Sequence, residues 1–165
     1  EIRYHNRRRL RPEIEARHGA TWWESLDQMV AGVDVLSVNC PHTPATFHLM
    51  NARRLRLMRR DAVVVNTSRG AVVDTRALIR GLKSGAIGSL GLDVYEEEGD
   101  LFFEDLSSEG IPDDVFARLL TFPNVLITGH QAFFTREALT AIAETTIGNL
   151  DAFAREGRAL HEVRG

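Results

Sequence analysis

Four short apolar runs in this sequence each give way to residues that can do chemistry. "VDVLSV" (33–38) is followed by "NCPHTPAT", "AVVVN" (62–66) by "TSRG", "SLGL" by "DVYEEEGD", and "NVLIT" (124–128) by "GHQAFF". Three of these tips carry Arg69, an acidic cluster (Glu96, Glu97, Glu98 and Asp100), and His130. An arginine offers a planar fork that pairs bidentately with a carboxylate and polarises a neighbouring carbonyl. A histidine, with an intrinsic pKa of about 6.5, takes up and delivers protons near neutral pH. An acid bonded to its other ring nitrogen would fix the tautomer and favour the protonated form. Such a set suits reduction of a 2-oxo acid: a carboxylate anchor, a proton for the nascent alkoxide, and a hydride that only a bound cofactor supplies.

These residues share one edge only if the runs are parallel strands. The runs are rich in β-branched residues, nearly continuous in hydrophobicity and bounded by turn signals, as in strands buried on both faces; the third extends over "SLGLDVY" (89–95). "EIRY" at the start reads as the second half of another strand. Between them lie helical patterns with marked ends. "RPEIEARHG" has Pro12 for a first turn and Gly19 as a stop; "VDTRALIRGLKSG" has Asp74 as a cap, a Leu78, Ile79, Leu82 stripe and Gly85 as a terminator. "DDVFARLL" closes before Pro123, and 136–156 repeats Leu139, Ile142, Ala143, Ile147, Leu150 and Phe153 along one face. Segment 96–112 is acidic and aperiodic and is expected to be a surface loop. The alternation predicts an α/β fold of right-handed βαβ units, with ligands beyond the carboxyl ends of the strands.

Composition narrows the field. The 165 residues are 44% apolar with a net charge of −3, enough for one core and against a general attraction to nucleic acid or anionic membranes. Cys40 is the only cysteine, so no internal disulfide is possible. No run approaches the roughly 20 apolar residues that span a bilayer, and the polar, basic start is unlike a secretory signal. The expected location is cytoplasmic. His42 and His48 are six apart, a poor metal pair, and no Cys/His cluster supports zinc. Trp22 and Trp23 are expected to pack rather than to stack on a cofactor.

"VVNTSRGAVVD", "GLDVYEEE" and "NVLITGHQAF", in that order, resemble the signature series of the D-isomer-specific 2-hydroxyacid dehydrogenase family. The likeness runs from about residue 2 to 150. "YHNRRRL", "SLDQMV" and "NCPHTPATFHLMNARRL" resemble glyoxylate/hydroxypyruvate reductases; "SLGLDVYEEEGDLFFEDLSSEGIPDDVF" and "GHQAFF" resemble the D-lactate dehydrogenase branch. Gly129 stands where much of the family has Pro, and Asn39 where a His is common. The resemblance implies that Arg69 binds substrate, that Glu98 is the supporting acid among its neighbours, and that His130 donates the proton. It places Cys40, Pro41 and Thr46 on the adenosine side of a dinucleotide, and Thr67, Ser68, Arg69 and Asp93 near its nicotinamide half.

The family fold is a Rossmann-like doubly wound parallel sheet, here expected to be incomplete. The glycine fingerprint precedes the ribose-binding position by roughly 20 residues, and that position falls at Asn6. "GLKSGAIGSLG" is no substitute, because it follows a helix. The chain therefore reads as a piece of a longer, homodimeric parent, with 1–150 a partial NAD(P)-binding domain and 151–165 a tail leading toward a separate substrate domain. The missing strand would lie between the first and third strands, leaving two sheets with unpaired inner edges. The chain alone is expected to bind cofactor poorly and to show no turnover.

At the ribose position NAD-specific enzymes place an acid. Asn6 followed by Arg7 and Arg8 would instead attract a 2′-phosphate, which predicts NADP over NAD, with Arg9 solvated. The expected reaction is hydride transfer between NAD(P)H and glyoxylate, hydroxypyruvate or pyruvate. The alternative is a non-catalytic, dinucleotide-sensing corepressor-like module; it has no need of a proton donor such as His130. Nucleic-acid binding by the arginines lacks an accompanying motif or interleaved aromatics.

Overall fold

The computed structural model describes residues 1–102 and 111–162, with the side chains of Asp100 and Phe102 left aside. Two compact units divide the chain at Gly129. In the first, β1 (Ile2–Tyr4) leads through α1 (Pro12–His18) to β2 (Ala20–Trp22), and the two strands pair in parallel, Ile2 opposite Ala20. After α2 (Leu26–Val30) comes β3 (Val35–Val38), and after α3 (Ala52–Leu55) comes β4 (Val63–Asn66). A 3₁₀ turn (Gly70–Val72) and α4 (Thr75–Ser84) return the chain to β5 (Ser89–Leu92). Then follow α5 (Gly99–Phe102), α6 (Asp114–Leu120) and β6 (Val125–Ile127).

Strands β3-β4-β5-β6 form a four-stranded parallel sheet separate from the β1-β2 pair. This is the expected split: β1 and β3 each pair on one side only among the described residues. The registers Val38↔Asn66 and Asn66↔Leu92 bring the carboxyl ends of β3, β4 and β5 level. Every βα tip of this sheet therefore opens on one edge.

The core explains the arrangement. Val64 is fully buried, and Leu90, Leu92, Leu36 and Val38 are buried beside it. Helix α4 contributes Ala77, Leu78 and Leu82 from one stripe; each large side chain so buried stabilises by about 1.5–3 kcal/mol relative to exposure. Asp74 caps α4 by accepting from Ala77 N–H at 2.8 Å, and Gly85 ends it in the left-handed conformation, φ 67°.

Two expectations need adjustment. The third strand stops at Leu92 rather than Tyr95, after which Asp93 N–H makes a last bond to Asn66 O. Segment 96–112 is not all loop, since Gly99–Phe102 is helical; its residues 103–110 lie outside the described residues. The short elements β2, α2 and α3 carry no pattern long enough to be read from sequence.

The second unit is built on α7 (Arg136–Glu156), with the predicted bounds. Thr135 caps it by accepting from Ala138 N–H, and Gly157, φ 72°, closes it. Ala152 is its buried residue, whereas Ile142, Ile147, Leu150 and Phe153 of the expected stripe are exposed.

Candidate active site

Asn66, the last residue of β4, is 1% exposed and governs the turn that carries Arg69. Its Nδ2 donates to Arg69 O at 3.0 Å, while its Oδ1 accepts from Ser68 N–H and Ser68 Oγ, both at 3.1 Å. A buried amide so satisfied fixes the backbone of Thr67–Arg69 and leaves the Arg69 side chain exposed, its Nη1 donating to Ser68 O at 2.7 Å. Gly70 follows because nothing larger fits: a Cβ there would collide with the backbone of Tyr95 and Glu96. The β4 and β5 tips are thus packed backbone to backbone.

The loop after β3 is held by Thr46. Its hydroxyl donates to Pro41 O at 2.7 Å and accepts from Thr43 N–H at 2.8 Å. Cys40 is half-buried, and burial pushes its thiol pKa up. Between this loop and the β4 tip lies a cavity of ≈ 660 Å³ lined by Asn39, Cys40, Pro41, His42, Thr67, Ser68 and Arg69. Its size is within the range of small-molecule sites.

At the β5 tip, Asp93 is 4% exposed and its Oδ1 accepts from Thr128 Oγ1. Tyr95 donates to Asp113 Oδ2 at 2.6 Å; burial first, then this bond to a carboxylate, raises the phenol pKa. Glu98 accepts from Tyr95 N–H at 3.1 Å. Glu96 turns elsewhere, with Oε1 accepting from Thr75 N–H at 2.8 Å and Oε2 lying 2.9 Å from His48 Nε2. Burial raises the Glu96 pKa, but these hydrogen bonds outweigh it, so the carboxyl stays below its usual range. Beyond β6, Gly129 has φ 63° and ends the first unit; His130, φ 58°, opens the second. Arg69 and Glu98 belong to one unit and His130 to the other.

Asn6, Arg7 and Arg8, expected on the ribose side, stand past β1, outside the cavity lining. Asn6 Oδ1 accepts from Arg7 N–H at 2.8 Å, and the side chains of Arg7 and Arg8 are exposed. Arg9 corrects an expectation. Although 59% exposed, it is not simply solvated: Nε and Nη2 each donate to Glu15 at 2.8 Å, and its guanidinium lies 5.8 Å from the Trp22 ring centre. Tyr4 Oη also donates to Glu15 Oε1, and with Arg9 it holds that carboxyl at a pKa of about 2.

The structure therefore gathers Cys40, Pro41, Thr67, Ser68 and Arg69 around one cavity and places Thr46 behind its wall. Asp93 is buried at the neighbouring tip, and Asn6, Arg7 and Arg8 follow β1 of the two-stranded sheet. Sequence reasoning missed Asn39 and His42 as lining residues and Asn66 and Gly70 as supports. An asparagine ending an apolar strand, and a glycine directly after the arginine, were the available signals. Among the described residues no group of three His, Cys, Asp or Glu could hold a metal, and no helix is long and apolar enough to cross a membrane.

Residues 1–132 match the family model described as "D-isomer specific 2-hydroxyacid dehydrogenase, NAD binding domain". The chain is 56% identical over 128 residues to 2-hydroxyacid dehydrogenase A of Aspergillus oryzae, covering 78% of this chain and 37% of that protein. It is 56% identical over 117 residues to D-lactate dehydrogenase of Escherichia coli K12, covering 71% and 36%. Among solved structures, a D-lactate dehydrogenase of Lactobacillus jensenii with NAD+ superposes with a TM-score of 0.87 at 26% identity, over 100% of this chain and 48% of that one. The chain spans less than half the length of these relatives.

Proposed function

Since the chain belongs to the D-isomer-specific 2-hydroxyacid dehydrogenase family, we propose that it forms part of an enzyme that interconverts a small 2-oxo acid and its 2-hydroxy acid with NAD(P)H. In this reading residues 1–150 are part of the dinucleotide-binding domain and 151–165 lead toward a substrate domain. The carrying observation is Arg69, exposed on a turn that Asn66 locks, at the edge of a cavity where adjacent parallel strands end. The lining fits a nucleotide half in chemistry as well as size. Pro41 and Cys40 offer an apolar wall and Thr67 a hydroxyl, while the N–H and hydroxyl of Ser68 are committed to Asn66 and hold that side of the lining in place.

The bound cofactor supplies the hydride. Arg69 pairs its fork with the substrate carboxylate and draws electron density from the carbonyl oxygen. His130 in its protonated form gives a proton to the developing alkoxide, and in oxidation takes it back. Glu98 is the supporting acid of the set that the family resemblance implies. Asp93, Thr67 and Ser68 would hold the cofactor's nicotinamide half.

For cofactor choice, the Asn6 oxygen is engaged by Arg7 N–H, so its side chain presents N–H donors outward, with Arg7 and Arg8 beside it. Donors and cations suit a 2′-phosphate and support NADPH; the NAD in the family description and in the L. jensenii complex supports NADH. The test is turnover by the full-length protein of glyoxylate, hydroxypyruvate and pyruvate with each reduced dinucleotide. Consumption of cofactor dependent on one of these acids is expected; no turnover with any of the pairs would remove the proposal.

A further inference from the structure

His48 adopts φ 46°, in the left-handed region that non-glycine residues seldom occupy. Surrounding structure must hold a residue there, and such residues gather at functional sites. Three contacts do so. His48 N–H donates to Ala71 O at 2.8 Å, two residues after Arg69. Its ring stacks on Phe47, with centroids 4.0 Å apart and planes 16° from parallel. Its Nε2 lies 2.9 Å from Glu96 Oε2, two residues before Glu98, with both side chains largely covered. The other Glu96 oxygen is taken by Thr75 N–H at the start of α4.

His48 therefore joins three segments of the first unit that carry proposed site residues. Its own loop holds Cys40, Pro41 and Thr46. Its backbone binds the turn after Arg69, and its ring binds the segment before Glu98. The backbone of Tyr95 and Glu96 already rests on Gly70, so a shift of Glu96 is passed to the Arg69 turn without slack.

We infer that His48 and Glu96 form a positioning pair, joined by a hydrogen bond from Nε2–H, that sets Arg69 and Glu98 in register for the substrate. The pair acts through those residues and does not itself touch substrate. The inference rests on the function proposed above, so its test carries a reference variant for that function.

The experiment is steady-state kinetics and thermal melting of the full-length protein and of its Arg69→Ala, His48→Ala, His48→Gln, Glu96→Ala and combined His48→Ala/Glu96→Ala variants. Glutamine places an amide N–H where His48 Nε2 stands. Misplacing an anchor by about an ångström costs on the order of a hundredfold. His48→Ala should accordingly lower kcat/KM for the 2-oxo acid by roughly ten- to a hundredfold, well below its melting midpoint. The cofactor KM should stay within about twofold, because uniform loss of binding is not what the pair controls. His48→Gln should recover most of the loss, and Glu96→Ala should cost little more when His48 is already alanine. If Arg69→Ala lowers kcat/KM and His48→Ala does not, the pair has no positioning role and the site assignment stands. If His48→Ala and His48→Gln fall equally, or the cofactor KM rises in step, the hydrogen bond is not the cause and the inference is overturned. If Arg69→Ala itself changes nothing, the site assignment fails and takes the pair with it.

Discussion

Replacing Asn66 with alanine removes one side chain that fixes the Arg69 turn. Three hydrogen bonds go with it: one donated to Arg69 O and two accepted from Ser68. At a net 0.5–1.5 kcal/mol each, the loss is about 1.5–4.5 kcal/mol. The position is 1% exposed, so water does not readily replace the missing partner, and the estimate belongs in the upper part of that range. Ser68→Ala removes only the hydroxyl bond and should cost about 1 kcal/mol. Urea unfolding of the full-length protein, followed by Trp22 and Trp23 fluorescence, compares the variants directly. Asn66→Ala should also raise the KM for the 2-oxo acid, because Arg69 O is no longer held. An Asn66→Ala protein that unfolds at the Ser68→Ala midpoint and keeps its KM would refute the idea that this amide organises the turn.

Gly70→Ala forces a Cβ into the backbone of Tyr95 and Glu96; overpacking of this kind costs about 1–3 kcal/mol. Its melting midpoint should drop while that of Gly99→Ala, where a Cβ meets nothing, does not. Glu15 is held at a pKa of about 2, first by Arg9 and then by Tyr4. Against an unfolded value of about 4.3, this depressed pKa stabilises the fold above the unfolded value and is lost as pH falls through the folded one. The stability gap between the native protein and Glu15→Gln should therefore narrow as pH drops through that window, and a gap constant in acid titration would contradict the assignment. Arg7→Ala with Arg8→Ala should raise the NADPH KM and leave the NADH KM unchanged; equal effects on both would remove the 2′-phosphate role.

The sequence made the repeated strand tips legible because each buried strand is a near-continuous apolar run that ends abruptly. The polar residues after Val38, Asn66, Leu92 and Ile127 then had to share an edge once the strands were parallel. The short elements β2, α2 and α3 were not legible, since none of them is a continuous apolar run bounded by turn signals as the equally short buried strands are. Nor was the fate of individual charges. Arg9 looked like its neighbours until α1 brought Glu15 within reach, and Glu96 looked like Glu98 until the fold gave it the start of α4 and His48. Asn66 hid for a similar reason, since its importance lies in a turn that closes back on it.

The most direct test of the central claim is the KM for the 2-oxo acid in the full-length protein with Arg69 replaced by alanine. Each charge-assisted hydrogen bond to a carboxylate is roughly twice as strong as a neutral one, and the bidentate pair makes two of them. The expected KM is about a hundredfold or more above the native value, with the cofactor KM essentially unchanged. A 2-oxo acid KM that stays at its native value would contradict the assignment of Arg69 as the substrate anchor.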